Sequence, residues 1–242
     1  MSTINPTRHL ETDRQSLNER FEAMLHTMAA ERARRGKLKA LTLCSGIEAQ
    51  AEAIRRVEAL IEVVATAEVG VVPSAVIAAR HPNTVNLGDV TAPDFCRRAM
   101  EVSPCGYDLV FASTPCQAFS LAGLRKGLDD DRGALTPHVI KIVNELNPSI
   151  YMWENVLGAL SDRTNAFGCM LGALVGADEP LTLPKGCKWP NFGAATGPLR
   201  SAAWRVLDAR HFGVPQRRRR VFLTATTHTS AIDPRSIVFE TL

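Results

Sequence analysis

Cys116 sits between Pro115 and Gln117 in the stretch STPCQAFS (113–120), just past the run Asp108-Leu109-Val110-Phe111-Ala112. That run reads as a short buried strand, so the cysteine falls in a rigid turn at a strand end. Three roles are open to it there: nucleophile, metal ligand or small buried thiol. The metal role is disfavoured, because none of Cys44, Cys96, Cys105, Cys116, Cys169 and Cys187 forms a C-x-x-C pair or a Cys/His zinc spacing. A buried thiol is the usual state of a free cysteine. The position favours a nucleophile: Pro115 restricts the backbone before it, and ligands bind an open α/β sheet at its strand ends.

Another strand end carries Glu154 and Asn155, in WENV, directly after Ile150-Tyr151-Met152-Trp153. A carboxyl in that place is expected to be buried, with a raised pKa, and to act as a proton donor. Gln216 then opens QRRRR ahead of Val221-Phe222-Leu223. On a strand Arg218 and Arg220 point to one face and Arg217 and Arg219 to the other, although a solvated basic edge is the plainer reading. A thiol, an acid and an inward arginine suit the activation of cytosine. Carbon 5 of that base is not nucleophilic. A thiolate added at C6, with an acid protonating N3, makes it enamine-like, while an arginine on O2 orients the ring. The base must leave the duplex stack to be reached.

A second set of residues points to a nucleoside cofactor. CSGIEA (44–49) is a strand-to-helix turn in which Gly46 permits a tight backbone; with one glycine it is a weak signal. Glu68 ends the next apolar run roughly 20 residues later, the spacing of a ribose-binding acid. Asp89, in LGDVT, stands at the following strand end, placed to take an adenine amino group.

These residues need a scaffold, and the periodicity supplies one. LKALTLC (38–44), IEVVATAE (61–68), DLVFAS (108–113) and SIYMWE (149–154) read as strands. EAQAEAIRRVEAL (48–60), PSAVIAARH (73–81), PDFCRRAMEV (93–102) and ALTPHVIKIVNEL (134–146) read as helices. Alternation of this kind means a doubly wound α/β fold with a mostly parallel sheet. After Asn155 the chain is expected to loosen, with residues 176–200 an irregular excursion. Two strands follow, in AAWRVLDARHFG and RRVFLTAT, around a turn at Gly213-Val214-Pro215. Ahead of all this, residues 1–37 read as a helical extension: Leu17, Phe21, Met24, Leu25 and Met28 form an apolar stripe between about Asp13 and Arg35, and Gly36 ends it. Residues 38–242 form the main domain.

The 242 residues carry a net charge of +3, which does not by itself announce a nucleic-acid partner, although the basic charge is clustered in RARRGKLK and QRRRR. No secretory signal and no apolar stretch of about 18 residues is present, so a reduced, cytoplasmic protein without membrane attachment is expected.

The motifs LCSGIEA, TAE, GDVT, STPCQAFS with GLRKGLDDDRG, WENV and FGVPQRRRRVF, in this order from Leu38 to Phe222, resemble those of the C5-cytosine DNA methyltransferases, especially the phage and prophage type. The resemblance implies the seven-stranded-type Rossmann-like fold of S-adenosylmethionine-dependent methyltransferases, with S-adenosylmethionine as cofactor and double-stranded DNA with a flipped cytosine as partner. It makes Cys116 the nucleophile, puts Glu154 on N3 and the exocyclic amine, and puts Arg220 on O2 with Arg218 in support. Cys44, Ser45, Gly46, Ile47, Glu48, Glu68, Val69, Asp89, Val90, Thr114 and Pro115 would line the cofactor. Gln117, Ser120, Arg125, Lys126, Arg132, Asn155 and Gln216 would face DNA, the stretch from Ser120 to Arg132 as a closing loop whose basic residues neutralise phosphates.

Two departures stand out. The family usually has phenylalanine at Cys44 and glycine at Glu48. Nothing between Thr224 and Leu242 supplies the target-recognition domain and final GN-type motif with which the family continues. Three readings follow in order: the catalytic part of a cytosine methyltransferase, acting alone or with a second polypeptide; a truncated fold that binds cofactor or partner without methylating; and an RNA cytosine methyltransferase.

Overall fold

The computed structural model describes residues 36–55, 60–115 and 135–239, together with Ala23. The apolar runs become strands because they can be buried on both sides. They are β1 (Leu38–Leu43), β2 (Ile61–Ala67), β4 (Leu109–Ala112) and β5 (Ile150–Val156). A two-residue β3 (Val85–Asn86) extends one edge. The other half holds β6 (Phe192–Thr196), β7 (Arg200–Asp208) and β8 (Arg219–Thr227). Among the described residues all join one sheet of eight strands, in the order β3-β2-β1-β4-β5-β8-β7-β6. The first five run parallel; β8, β7 and β6 add antiparallel pairings. The chain leaves β1 toward β2 and β3, then returns past it to β4 and β5, so the strand order switches at β1.

One irregularity matters for the site. The β1–β2 register shifts between Ala40 and Leu41, so that Ala40 pairs with Val63 but Leu41 with Ala65. Beyond this bulge Thr42 pairs with Thr66.

Among the described residues six α-helices surround the sheet: α1 (Ala49–Arg55), α2 (Val71–Arg80), α3 (Phe95–Val102), α4 (Leu135–Leu146), α5 (Ala166–Val175) and α6 (Pro234–Val238). The larger core lies on one sheet face, where Val110, Trp153 and Leu223 meet Phe95 of α3, Val139 of α4 and Phe167 of α5. A smaller one on the other face joins Leu38, Ala40, Leu109 and Ile150 to Ile54 of α1. No described helix is long and apolar enough to cross a membrane.

The chain after Asn155 is more ordered than its sequence suggests. α5 was not expected, because AFGCMLGALV is apolar on every side and shows no amphipathic period; nine of its ten residues are buried. Gly168 and Gly172 let residues 179–181 press on it: a Cβ at Gly168 would stand 2.1 Å from the Leu181 carbonyl oxygen. The expected excursion is also shorter, since Phe192–Thr196 pairs with β7. Trp189 anchors the irregular part, packing edge-on against Phe167 and Trp204 with centroids 5.2 and 5.7 Å away. α2 starts two residues before Pro73, which still lies in the first turn, where a missing N–H costs no helical bond.

Arg200, 1% exposed, ties helix ends together. Its Nη1 donates to the Asn144 Oδ1 and, at 3.2 Å, to the Leu174 carbonyl; its Nη2 donates to the Val143 carbonyl at 3.1 Å and to Asn147 Oδ1 at 2.9 Å. The Leu174 carbonyl lies in the last turn of α5, and the Val143 carbonyl, in the last turn of α4, also accepts from the Asn147 N–H at 3.0 Å. Arg200→Met is expected to destabilise the fold by about 3 kcal/mol, seen as a lower urea midpoint at unchanged slope; an unchanged midpoint would refute the clamp.

Candidate functional site

The site is built at the ends of β1, β2, β4, β5 and the start of β8. Between β1 and α1 the chain turns through three left-handed residues in five: Cys44 (φ 53°), Gly46 (φ 57°) and Glu48 (φ 65°). For cysteine and glutamate this conformation costs about 1–2 kcal/mol each, so the surroundings must hold it. Two carboxylates do. Glu68, at the end of β2, accepts from the Gly46 N–H at 2.8 Å and from the Gly70 N–H at 2.6 Å, bridging the two strand-end loops. Glu48 turns inward and is 1% exposed. Its Oε1 accepts from the Thr42 and Thr66 hydroxyls, and the Ser45 hydroxyl lies 2.7 Å from Thr66 Oγ1. Its Oε2 is buried with no hydrogen-bond partner. Glu48, expected at the cofactor, thus sits beneath the turn and anchors it to both strands.

Thr114 is the second fixed point. Its hydroxyl accepts from Trp153 Nε1 at 3.0 Å, and its carbonyl accepts from Asn155 Nδ2 at 2.7 Å. The Thr136 hydroxyl of α4 adds a longer contact at 3.4 Å. Asn155 is 3% exposed; its amide, expected to face DNA, points into the protein and holds the backbone that leads into Pro115. Gln50 of α1 donates to the Ser113 hydroxyl at 2.9 Å, joining this turn to the first.

Glu154 and Arg220 pair where β5 nears its end and β8 begins. They face the same side of neighbouring strands, and Arg220 Nε stands 3.0 Å from Glu154 Oε1. The expectation of a buried Glu154 is corrected: its side chain is 27% exposed, and it pairs with a cation. Arg218 lies just before β8, with its backbone N–H donating to Asp208 Oδ1 at 3.1 Å. Glu154, Arg218, Ser45 and Gly46 border a mostly apolar cleft of about 600 Å³, floored by Phe111, Met152 and Phe222.

Other expected residues are dispersed or out of view. Ile47 and Val69 are exposed at 62% and 70% beside the turn, and Val90 is buried. Asp89 is exposed and accepts from the Thr91 N–H and hydroxyl. Pro115 and Gln216 are exposed. Cys116, Gln117, Ser120, Arg125, Lys126 and Arg132 lie outside the described residues. Thr42, Thr66, Gln50, Thr136 and Asp208 were not singled out from sequence. Isolated hydroxyls and amides carry no spacing signal, and only the fold brings them together.

Cys44 differs from a nucleophile. Burial first, then the nearby charges of Glu68 and Asp89, push its thiol up to about 11 from 9.0. A thiolate reacts and a thiol does not, so alkylation of Cys44 at pH 8 should run roughly 100-fold slower than at an ordinary thiol of pKa 9.0. Its rate should rise about tenfold per pH unit up to pH 10. Peptide mass spectrometry after timed iodoacetamide exposure reads this directly, with the exposed Cys105 and Cys187 as comparators. Equal rates at all three would contradict the assignment.

Comparison with known proteins adds the following. Residues 38–177 and 198–240 match the family described as C-5 cytosine-specific DNA methylase. The chain is 42% identical over 228 residues to a protein of Escherichia phage P1 named DNA N-6-adenine-methyltransferase, covering 82% of this chain and 30% of that one. It is 30% identical over 185 residues to the type II methyltransferase M.NgoBV of Neisseria gonorrhoeae, covering 72% of this chain and 37% of the relative. The chain therefore spans about a third of the length of these relatives. In fold it is similar to a putative DNA modification methyltransferase encoded in an Escherichia coli prophage, with a TM-score of 0.58 at 18% identity, covering 81% of this chain and 49% of that one.

Proposed function

Because the chain belongs to the family of C-5 cytosine-specific DNA methylases, we propose that it carries the catalytic half of a methyltransferase acting on C5 of a flipped cytosine in DNA. The observation that carries this reading is the Glu154–Arg220 pair, whose glutamate borders the cleft. The pairing edge of cytosine offers an acceptor at O2, an acceptor at N3 and a donor at the amino group. Arg220 has donors left for O2. Glu154 can accept from the amino group and, when protonated, donate to N3.

The cleft, together with Glu68, which meets its rim at the Gly46 N–H, suits S-adenosylmethionine. The cleft volume of about 600 Å³ lies within the range of small-molecule sites, about 300–1,000 Å³. Each Glu68 oxygen takes one backbone N–H and keeps lone-pair capacity for ribose hydroxyls. Ile47 and Val69 present apolar surface on which a purine can lie. Bound there, S-adenosylmethionine supplies an electrophilic methyl group. The protein's own part is to make C5 a nucleophile. The Cys116 thiolate adds to C6, and its elimination after loss of the C5 proton restores the ring and frees the sulfur. Thr114, held by Trp153 and Asn155, sets the direction in which the chain enters Cys116.

The name of the phage P1 relative raises a second reading, methyl transfer to the adenine amino group. An exocyclic amine needs no covalent activation at a ring carbon, so the thiol, acid and arginine set would be idle. The match covers only 30% of that relative. Sequence recognition is assigned to polypeptide beyond these residues, in line with the greater length of the relatives.

Duplex DNA containing 5-fluorocytosine tests the reading, since fluorine at C5 blocks the final elimination. With S-adenosylmethionine, a covalent protein–DNA adduct is expected on a denaturing gel and should vanish in Cys116→Ser. Glu154→Gln should slow its formation at least about 100-fold. Detection of N6-methyladenine as the product, or of 5-methylcytosine from Cys116→Ser, would overturn the assignment.

A further inference from the structure

The cleft is mostly apolar, and a charged part of a ligand needs polar groups there. The Ser45 hydroxyl is turned in toward Thr66 Oγ1, and Glu154 is paired with Arg220. Gln50 and Ser113 also line the cleft, both half-buried, and they form a pair: Gln50 Nε2 donates to the Ser113 hydroxyl at 2.9 Å. Gln50 Oε1 is shut off from water and has no hydrogen-bond partner, so the side chain offers a ligand only its donor half. Nε2 keeps a second N–H, and the Ser113 hydroxyl, already accepting, keeps its own proton to give. Among the described residues neither of these hydrogens has an acceptor. Two free donors therefore stand side by side, at a separation close to that of the two oxygens of a carboxylate.

The pair also crosses between two loops. Gln50 is the second residue of α1, directly behind the left-handed turn at Cys44, Gly46 and Glu48. Ser113 follows β4, and its N–H donates to the Leu43 carbonyl at 3.1 Å. Next in the chain come Thr114, held by Trp153 and Asn155, then Pro115 and Cys116.

We propose that Gln50 and Ser113 act as one clamp on the carboxylate at the amino-acid end of the methyl donor, so that seating the donor fixes the turn that leads into Cys116. The clamp rests on the reading of the cleft as an S-adenosylmethionine site. The parts of that ligand sort by chemistry. Glu68 suits the ribose, and Ile47 and Val69 suit the purine; none of the three has a side-chain donor for an anion. Arg218, also on the lining, precedes β8, which β5 separates from β4 and Ser113. A ligand shifts an arrangement only by what it gains in it. Here a carboxylate gains both donors at once only while Gln50 and Ser113 stay joined, which ties occupancy of the cleft to the turn.

Two ligands separate the parts: S-adenosylhomocysteine, and its decarboxylated analogue, which keeps the ammonium and lacks only the carboxylate. Titration calorimetry with the full chain should show S-adenosylhomocysteine binding at least about tenfold tighter than the analogue. Gln50→Leu and Ser113→Ala should each remove most of that difference and leave the analogue's affinity as it was, which also shows that the variants fold. Peptide mass spectrometry after timed iodoacetamide exposure reads the turn. S-adenosylhomocysteine should slow alkylation of Cys116 about fivefold or more relative to the exposed Cys105 and Cys187, and the analogue should not. Both variants should lose that protection even at saturating ligand. Equal affinities of the two ligands in the intact chain would overturn the proposal, as would a difference removed by Arg218→Gln but kept in Gln50→Leu. Tight binding of S-adenosylhomocysteine with Cys116 alkylated at an unchanged rate would overturn the coupling. If neither ligand binds, the cofactor reading itself fails, and the clamp with it.

Discussion

Backbone pairing between β5 and β8 sets where the site's charges stand. Glu154 and Arg220 are far apart in sequence, and nothing local draws them together. The antiparallel register, Val156 with Arg220 and Glu154 with Phe222, puts both on one face as diagonal neighbours. The ion pair follows from that register and adds little to it, because both side chains keep about a quarter of their surface in water. The hydrogen-bond ladder, and the Trp153 and Leu223 side chains buried beneath it, determine the position. The charges are then available for a ligand because they are not spent on the fold.

The parallel half adds a different kind of precision. Parallel strands all end on one edge, but their connecting loops are free to vary. Here they are tied crosswise: Glu68 joins two loops, Gln50 joins α1 to the end of β4, and the Trp153–Thr114–Asn155 set joins β4 to β5. Each bond is ordinary in strength, about 1 kcal/mol net. Their joint effect is to tie the strand-end loops to one another, so that the position of each depends on the others.

Much of this was legible in the sequence, for a physical reason. Strands buried on both faces are written as apolar runs, and the residues just past each run mark the sheet edge; that is how Gly46, Glu68 and Glu154 could be placed at strand ends before any coordinates. α5 was missed because a helix buried all round has no polar side to give it a period. β6 was missed because it is a short edge strand, FGAAT, of low apolar content in a glycine- and proline-rich stretch. The environment of Glu154 was misjudged because a neighbouring strand's register cannot be read from one strand. Glu48 looked like a ligand contact by its place in the loop, yet its side chain is turned under by a backbone torsion that the sequence does not display.

The bulge between β1 and β2 has a consequence that reaches beyond the two strands. Without it Thr42 would stand opposite Ala65, and a methyl group would replace the hydroxyl that Thr66 now gives to Glu48. Glu68 would also end one position away from the Gly46 amide. The extra residue at Val64 therefore acts as a spacer that phases the second strand to the first loop. Insertion or deletion of a single residue in the half-buried middle of β2 would detune the strand-end edge as surely as a substitution within it.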